Sequence, residues 1–414
     1  MQNITRRQSL VLGAGLAVTA CGGGGGSSSG GSGPVAVTPA PTPPPTPTPT
    51  PSPTPTPTAT TQSLAAVAAT RNMRFGSTFA FSAVGADAGS FANPSYAALL
   101  ERDCSILVPE NELKWQSIRP TATTFNFDQA DAMLAYAESK RIAMRGHTLL
   151  WYVGERFPGW LNAYDFGASA DAQRAEAERL VRTHVETVAR RYGSRLTSWD
   201  VVNEAVDPQT GSSRTNVLAN AVRGDLSLLD LAFRTARAEL PTTQLVYNDY
   251  MDWGTPTHRA GVLALLRGFR DRGVPVDALG IQSHIGFYSN GTAQSIVDAQ
   301  AAGWRSFLDQ VTALGYDLVI TEMDVTDHLR AATDNAVRDA DIATLARGWL
   351  DLCMSYRQLK DVLFWGMSDR YSWLQGFQRR ADGLPLRPNP YDTNFVAKPL
   401  RETVAEAFRA TAVR

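Results

Sequence analysis

Two glutamates stand at the ends of short apolar runs. Glu204 closes Ser198-Trp199-Asp200-Val201-Val202-Asn203-Glu204, and Glu322 closes Leu318-Val319-Ile320-Thr321-Glu322, with Met323 and Asp324 behind it. Apolar runs of that length read as buried strands, so each carboxyl is delivered at a strand end. Two carboxyls meeting across one face can cleave a glycosidic bond, one as acid/base and one as nucleophile. A single strand-terminal glutamate is commonly just solvated or ion-paired. Two of them, with Asn203 beside one and Gln282-Ser283-His284 lying between them in the chain, make paired acid chemistry the better reading.

The other strand-like runs also end in polar and aromatic residues. Glu110, Asn111, Lys114 and Trp115 follow Ser105–Val108, while His147 and Trp151 follow Ile142–Arg145. Asn248, Asp249 and Tyr250 follow Gln244–Tyr247, His284 follows Ala278–Gln282, and Trp365 ends the last run with Trp373 beyond it. Such a set of hydrogen-bonding groups and flat platforms suits a ligand covered in hydroxyls. It suits phosphate poorly, having one lysine and no arginine cluster. No HxH or HExxH spacing exists, and His147 and His284 come from different runs, so neither a metal nor another cofactor is expected. His184, in a helical stretch beside charged residues, is expected at the surface, and His258 and His328 receive no role.

What must position these groups is a set of eight strands: Arg74–Phe79, Ser105–Val108, Ile142–Arg145, Thr197–Val202, Gln244–Tyr247, Ala278–Gln282, Leu318–Thr321 and Val362–Trp365. Between them lie segments with apolar residues at threes and fours, among them Phe127–Lys140, Ala175–Tyr192, Leu226–Leu240 and Ala340–Gln358. Alternating strands and helices in that number define a (β/α)8 barrel, an α/β fold whose chemistry sits at the C-terminal strand ends. A doubly wound sheet would carry a Gly-rich turn after its first strand, where Gly76 stands alone.

The 414 residues divide into three parts: 1–20, 21–62 and 63–414. The first holds Arg6-Arg7 before a short apolar stretch, too short to span a bilayer, and reads as an export signal of twin-arginine type. It ends at Val18-Thr19-Ala20-Cys21, a lipobox-like site where Cys21 would be lipidated and anchor the protein in the cell envelope. A Gly/Ser-rich then Pro/Thr-rich linker follows; its Pro/Thr part alone could span on the order of 70 Å. The third part has the composition of a globular domain. The net charge of −1 gives no electrostatic reason to expect nucleic acid. Three cysteines are too few for a disulfide scaffold, and Cys104 and Cys353 are expected as buried free thiols rather than a pair. A monomer is the default.

Seven segments in order are similar to glycoside hydrolase family 10, the endo-β-1,4-xylanases. They are Val108-Pro109-Glu110-Asn111-Glu112-Leu113-Lys114-Trp115, Arg145-Gly146-His147-Thr148-Leu149-Leu150-Trp151, Trp199-Asp200-Val201-Val202-Asn203-Glu204-Ala205, Asn248-Asp249-Tyr250, Gln282-Ser283-His284, Thr321-Glu322-Met323-Asp324, and Trp365-Gly366 with Asp369 and Trp373. The resemblance covers residues 70 to 405 and implies a retaining enzyme on xylan or xylo-oligosaccharides. It makes Glu204 the acid/base and Glu322 the nucleophile, with Asn203 on the 2-hydroxyl of the sugar under attack. His284 would orient Glu322, and Asp324 would stand behind His284. Lys114, His147 and Gln282 would hold the sugar at the cleavage point, Glu110 and Asn111 the next sugar toward the non-reducing end. Tyr250 is counted with the substrate-binding set, and Trp151, Trp365 and Trp373 would form the walls. From these roles a raised pKa is expected for Glu204.

Two stretches depart from the family pattern. Tyr152 stands where the family usually has His, with an unlike loop to Pro158, and Leu386-Arg387-Pro388-Asn389-Pro390-Tyr391-Asp392 replaces an apolar stretch. These leave the leaving-group side and the choice of decorated chains open. Two other readings stay in view: an endo-β-glucanase on the same barrel, and a glycan-binding lipoprotein without catalysis. Xylose lacks the hydroxymethyl group of glucose, so a tight wall at Trp365 and Trp373 favours xylan, and retention of both glutamates favours catalysis.

Overall fold

The computed structural model describes residues 62–288 and 291–414. The expected signal, Cys21 and all of the expected linker but Gln62 lie outside these residues. Among them, no helix is long and apolar enough to cross a membrane.

The strands form one parallel barrel. Its eight staves are Arg74–Phe79, Ile106–Pro109, a third in two pieces (Ala143–Met144 and Gly146–Trp151), Ser198–Asn203, Gln244–Asp249, Ala278–Ile281, Asp317–Thr326 and Leu359–Phe364. Around the ring the order is third, second, first, eighth, seventh, sixth, fifth, fourth. Ala143–Met144 pairs with the second stave and Gly146–Trp151 with the fourth, so the broken third stave closes the ring at Arg145. A short extension of the sixth stave, His284–Gly286, pairs with the seventh and sets His284 opposite Asp324.

Two packing layers hold this ring. Inside it, Ile106, Val108, Val246, Ala278, Val319 and Leu363 form a small apolar cluster, capped by Trp365. Such filling makes the barrel interior a packed core rather than a pore. Outside it, the helices bury their apolar stripes against the staves. Helix Ala170–Tyr192, opened by a Ser169 cap, buries Leu180, Val181, His184, Val185 and Val188. Each fully buried aliphatic side chain contributes about 1.5–3 kcal/mol over exposure. Gly146 is required by this layer: a Cβ there would lie 2.1 Å from the Trp199 ring, which is fully buried.

Several expectations shift in place. The third stave runs on to Trp151, so His147 and Trp151 sit on the strand and not beyond it. The seventh runs from Asp317 to Thr326, carrying both Glu322 and Asp324 within it. His184 is not a surface residue: it is fully buried, stacked on Trp115 at 4.2 Å between ring centroids. Its position four residues from both Leu180 and Val188 puts it on the apolar stripe, and burial holds its imidazole far below the usual pKa. Cys104 and Cys353 are both buried and free.

Candidate active site

Stave four ends at Asn203, and the chain then turns sharply at Glu204, whose φ of 56° is left-handed. That conformation costs a non-glycine residue roughly 1–3 kcal/mol and persists where neighbours enforce it. Here they do so through the backbone. Glu204 N–H donates to the Asn248 carbonyl at 2.9 Å, Ala205 N–H to the Tyr247 hydroxyl at 3.2 Å, and Arg214 Nε to the Glu204 carbonyl at 2.9 Å. The turn leaves the Glu204 carboxyl accepting from Gln282 Nε2 at 3.0 Å.

Glu322, on stave seven, meets a different surrounding. Asn248 Nδ2 donates to its Oε1 at 2.7 Å, and His284 Nε2 lies 3.4 Å from its Oε2. His147 Nδ1 stands 3.9 Å from Oε1. Behind His284, Asp324 Oδ2 lies 2.9 Å from Nδ1 and accepts from Trp373 Nε1 at 2.9 Å. Behind His147, Asp200 Oδ2 lies 2.9 Å from Nδ1, and Arg145 binds both Asp200 oxygens in a fully buried pair. His147, Asp200 and Glu322 bring potential ligand atoms within 4.8 Å of one another. Arg145 already supplies the balancing charge to that group.

Two asparagines connect the carboxyls. Asn248 Nδ2 also donates to Asn203 Oδ1 at 2.9 Å, and Asn203 Nδ2 lies 3.4 Å from Glu204 Oε1. Turning the Asn203 amide over would let its oxygen accept from Trp151 Nε1 at 3.2 Å. It would also set its NH2 against the Asn248 NH2. That group is fixed as a donor by Glu322, and Thr321 Oγ1 donates to Asn248 Oδ1 at 2.7 Å. The orientation with Asn203 Oδ1 toward Asn248 therefore satisfies the network better. Gly280 makes room for this bridge, since a Cβ there would lie 2.4 Å from Asn248 Oδ1.

The two environments push the carboxyls apart. For Glu204, burial is the largest influence, joined by the Asp249 charge and then by Glu322; together they raise its pKa despite hydrogen bonds from Gln282 and Trp151. For Glu322, burial works upward, but the His284 hydrogen bond, the fields of His147 and His284 and the Asn248 contact outweigh it and lower its pKa to about 2. Burial works against charge on His284 too, yet Asp324 and Glu322 raise it to about 10. The same mouth thus favours the proton on Glu204 and charge on Glu322, with the positively charged form of His284 favoured beside it.

The remaining expected residues gather at the same barrel end. Lys114 Nζ donates to Asn111 Oδ1 at 2.9 Å and lies 4.8 Å above the Trp151 ring and 5.9 Å from that of Trp365. Burial, opposed by Glu322 and Glu110, lowers the pKa of Lys114, and burial raises that of Glu110. Trp365 packs edge-on to His147 at 5.2 Å and Trp373 to His284 at 5.1 Å. Tyr250 accepts from Arg214 Nη2 at 2.6 Å.

Other members of the site carried no role in the sequence reading. Asn248 and Asp249 stood only as strand-end residues, and Asp200, Arg145 and Arg214 were assigned nothing. Asp200 had a usable signal, being a charged residue inside an otherwise apolar strand. Arg214 had none.

A parallel barrel carrying at one mouth two buried carboxyls whose surroundings push their pKa values apart, among groups able to hydrogen-bond hydroxyls, is the equipment of a glycoside hydrolase. The chain belongs to glycosyl hydrolase family 10, whose model matches residues 63–407. It is 31% identical over 305 residues to endo-1,4-beta-xylanase 1 of Gibberella zeae, covering 73% of this chain and 80% of that one. Native xylanase 10B from Thermotoga maritima shares the fold with a TM-score of 0.72 at 28% identity, covering 84% of this chain and 98% of that one. Xylanase 10B from Thermotoga petrophila in complex with xylobiose gives 0.72 at 27% identity, covering 85% and 98%.

Proposed function

We propose that this protein is a retaining endo-1,4-β-xylanase in which Glu322 is the nucleophile and Glu204 the acid/base. The observation that carries the assignment is the contrast in surroundings: Glu322 accepts from Asn248 Nδ2 at 2.7 Å with His284 Nε2 at 3.4 Å and His147 Nδ1 at 3.9 Å, which holds its pKa down, while buried Glu204 accepts from the neutral Gln282 amide at 3.0 Å and its pKa is raised. A nucleophile must be ionised and a general acid protonated in the same resting enzyme. Relatives named as endo-1,4-beta-xylanases and a neighbour bound to xylobiose support xylan as the substrate class.

Each step draws on a group already described. Glu322 attacks the anomeric carbon while Glu204 protonates the departing oxygen, giving a covalent xylosyl-enzyme. The retaining geometry requires the carboxyls about 5–5.5 Å apart. Glu204 is then a carboxylate, and loss of the Glu322 charge removes one of the influences that raise its pKa. It takes a proton from water as the water oxygen bonds to the anomeric carbon and the bond to Glu322 breaks, which restores the Glu322 carboxylate and protonated Glu204. Asn203, with Oδ1 occupied by Asn248, is left with Nδ2 to offer the sugar's 2-hydroxyl, a contact that strengthens in the oxocarbenium-like transition state. Lys114, His147 and Gln282 hold the sugar at the cleavage point. Glu110 and Asn111 hold its neighbour, with Trp151, Trp365 and Trp373 as walls and Tyr250 beside Glu204.

Glu204→Ala on an aryl xyloside tests the roles. Such a leaving group needs little acid help, so the xylosyl-enzyme should accumulate and added azide should release it as a glycosyl azide. Wild-type turnover, insensitive to azide, would overturn the assignment. Export through the Arg6-Arg7 signal and lipidation at Cys21 are proposed alongside, on the sequence alone.

A further inference from the structure

Next to Asp249 lies a fully buried imidazole that the mechanism does not use. His258 sits in the first turn of helix Pro256–Asp271, which follows stave five. Its Nε2 is 3.0 Å from Asp249 Oδ1, and Asp249 is fully buried too. The contact is close but not aligned as a hydrogen bond, and Nδ1 has no hydrogen-bond partner among the described residues either. An imidazole placed so acts on the carboxyl through charge rather than through a shared proton.

Asp249 has two links to the acid/base. After burial, its charge is the largest influence on the pKa of Glu204, and it raises it. Its Oδ2 accepts from the Tyr247 hydroxyl at 2.5 Å, and that hydroxyl accepts from Ala205 N–H at 3.2 Å, in the turn that aims Glu204. His258 also faces the Tyr250 ring, edge-on at 4.8 Å between centroids, and its charge acts on the Asp252 carboxyl. Arg259, beside it on the same helix, turns to the Asp252 and Trp253 carbonyls. Arg214, from the loop after stave four, is bonded to the Tyr250 hydroxyl and the Glu204 carbonyl. A proton on His258 thus has two carboxyls to balance it, against burial and the positive end of its helix. With that proton the pair of His258 and Asp249 is neutral; without it, the full Asp249 charge acts on Glu204.

Building on the xylanase reading, we propose that His258 is a positioning residue for the acid/base: acting through Asp249, its charge sets how firmly Glu204 holds its proton. A proton on His258 loosens the one on Glu204; a neutral His258 tightens it.

The test titrates the full chain by NMR, isotopically labelled at the glutamate carboxyl carbons and the histidine ring nitrogens, with kcat/KM on xylohexaose followed over the same pH range. The Glu204 and His258 signals are assigned by their loss in Glu204→Gln and His258→Gln. His258→Gln leaves a permanently neutral side chain, so the Glu204 titration and the alkaline limb of kcat/KM should both move to higher pH by roughly half a pH unit. His258→Lys keeps a cation beside Asp249 and should hold both near their wild-type positions. Added to Asp249→Asn, His258→Gln should move neither further, because the carboxyl through which the ring acts is gone. In the wild type, which needs no substitution to be tolerated, the Glu204 and His258 curves should be coupled, each with an inflection at the other's midpoint. A Glu204 titration unmoved by His258→Gln, a His258→Lys enzyme that shifts as His258→Gln does, a shift that persists in full beside Asp249→Asn, or independent wild-type curves would overturn the proposal. The NMR readout needs no substrate. A Glu204 curve that moves as expected in a protein that leaves xylohexaose intact would therefore keep the proposal and overturn the xylanase reading instead.

Discussion

In the proposed mechanism, two glutamates of identical chemistry become an acid and a nucleophile through what faces them. Glu322 faces His284, His147 and Asn248; Glu204 faces Gln282 and Trp151 with Asp249 behind it. The sign of the pH dependence follows. With Glu204 as the proposed acid, activity should fall as pH rises through that group's raised pKa, and with Glu322 as the proposed nucleophile it should fall at low pH as that group is protonated near 2. Asp249 is the larger of the two charges that hold the proton on Glu204. Asp249→Asn should therefore move the alkaline limb of kcat/KM to lower pH and leave the acid limb in place. An unmoved alkaline limb would mean another group sets it. The glutamates were legible in the sequence because each ends an apolar run. Their partners were less so: nothing in Gln244-Leu245-Val246-Tyr247-Asn248 tells which side chain points across the barrel to stave seven. His184 was misread because its charged neighbours in sequence lie on the other side of its helix, while Leu180 and Val188 mark its own side.

At the scale of the element, the third and fourth staves show how a strand aims a functional group. Asp200 alternates into a buried polar layer beside Arg145 and under His147, with all three side chains at or near zero exposure. Removing one member of such a pair leaves a buried charge without its partner. Arg145→Met should cost about 3–5 kcal/mol of stability, read as a lowered denaturation midpoint, and the added Asp200→Leu should recover part of it. A single variant as stable as the wild type would show that the pair does not hold these staves. The eight strand runs could be read from spacing because each is short, apolar and bounded by polar residues. Their lengths could not. Stave seven extends to Thr326 because the His284–Gly286 extension pairs alongside it, a contact between segments separated by a long helix.

For the whole molecule, the barrel brings strand ends from across the chain to one mouth, and that convergence is the reason a family resemblance spread over seven segments can describe a single site. The N-terminal region raises a separate expectation. If Cys21 is lipidated, Cys21→Ser should move the enzyme from the membrane fraction to the soluble one without altering kcat/KM on xylo-oligosaccharides, and mass spectrometry of the mature N-terminus should lose the acyl mass. A soluble wild-type protein with an unmodified Cys21 would remove the anchor. The central claim is double displacement with Glu322 as nucleophile, and it is tested most directly by anomeric NMR of xylo-oligosaccharide hydrolysis at early times, with Glu322→Gln alongside. The expected result is β-anomer released first, with the variant slower by about 10³-fold or more. An α-anomer appearing first, or a Glu322→Gln enzyme that turns over normally, would contradict the account.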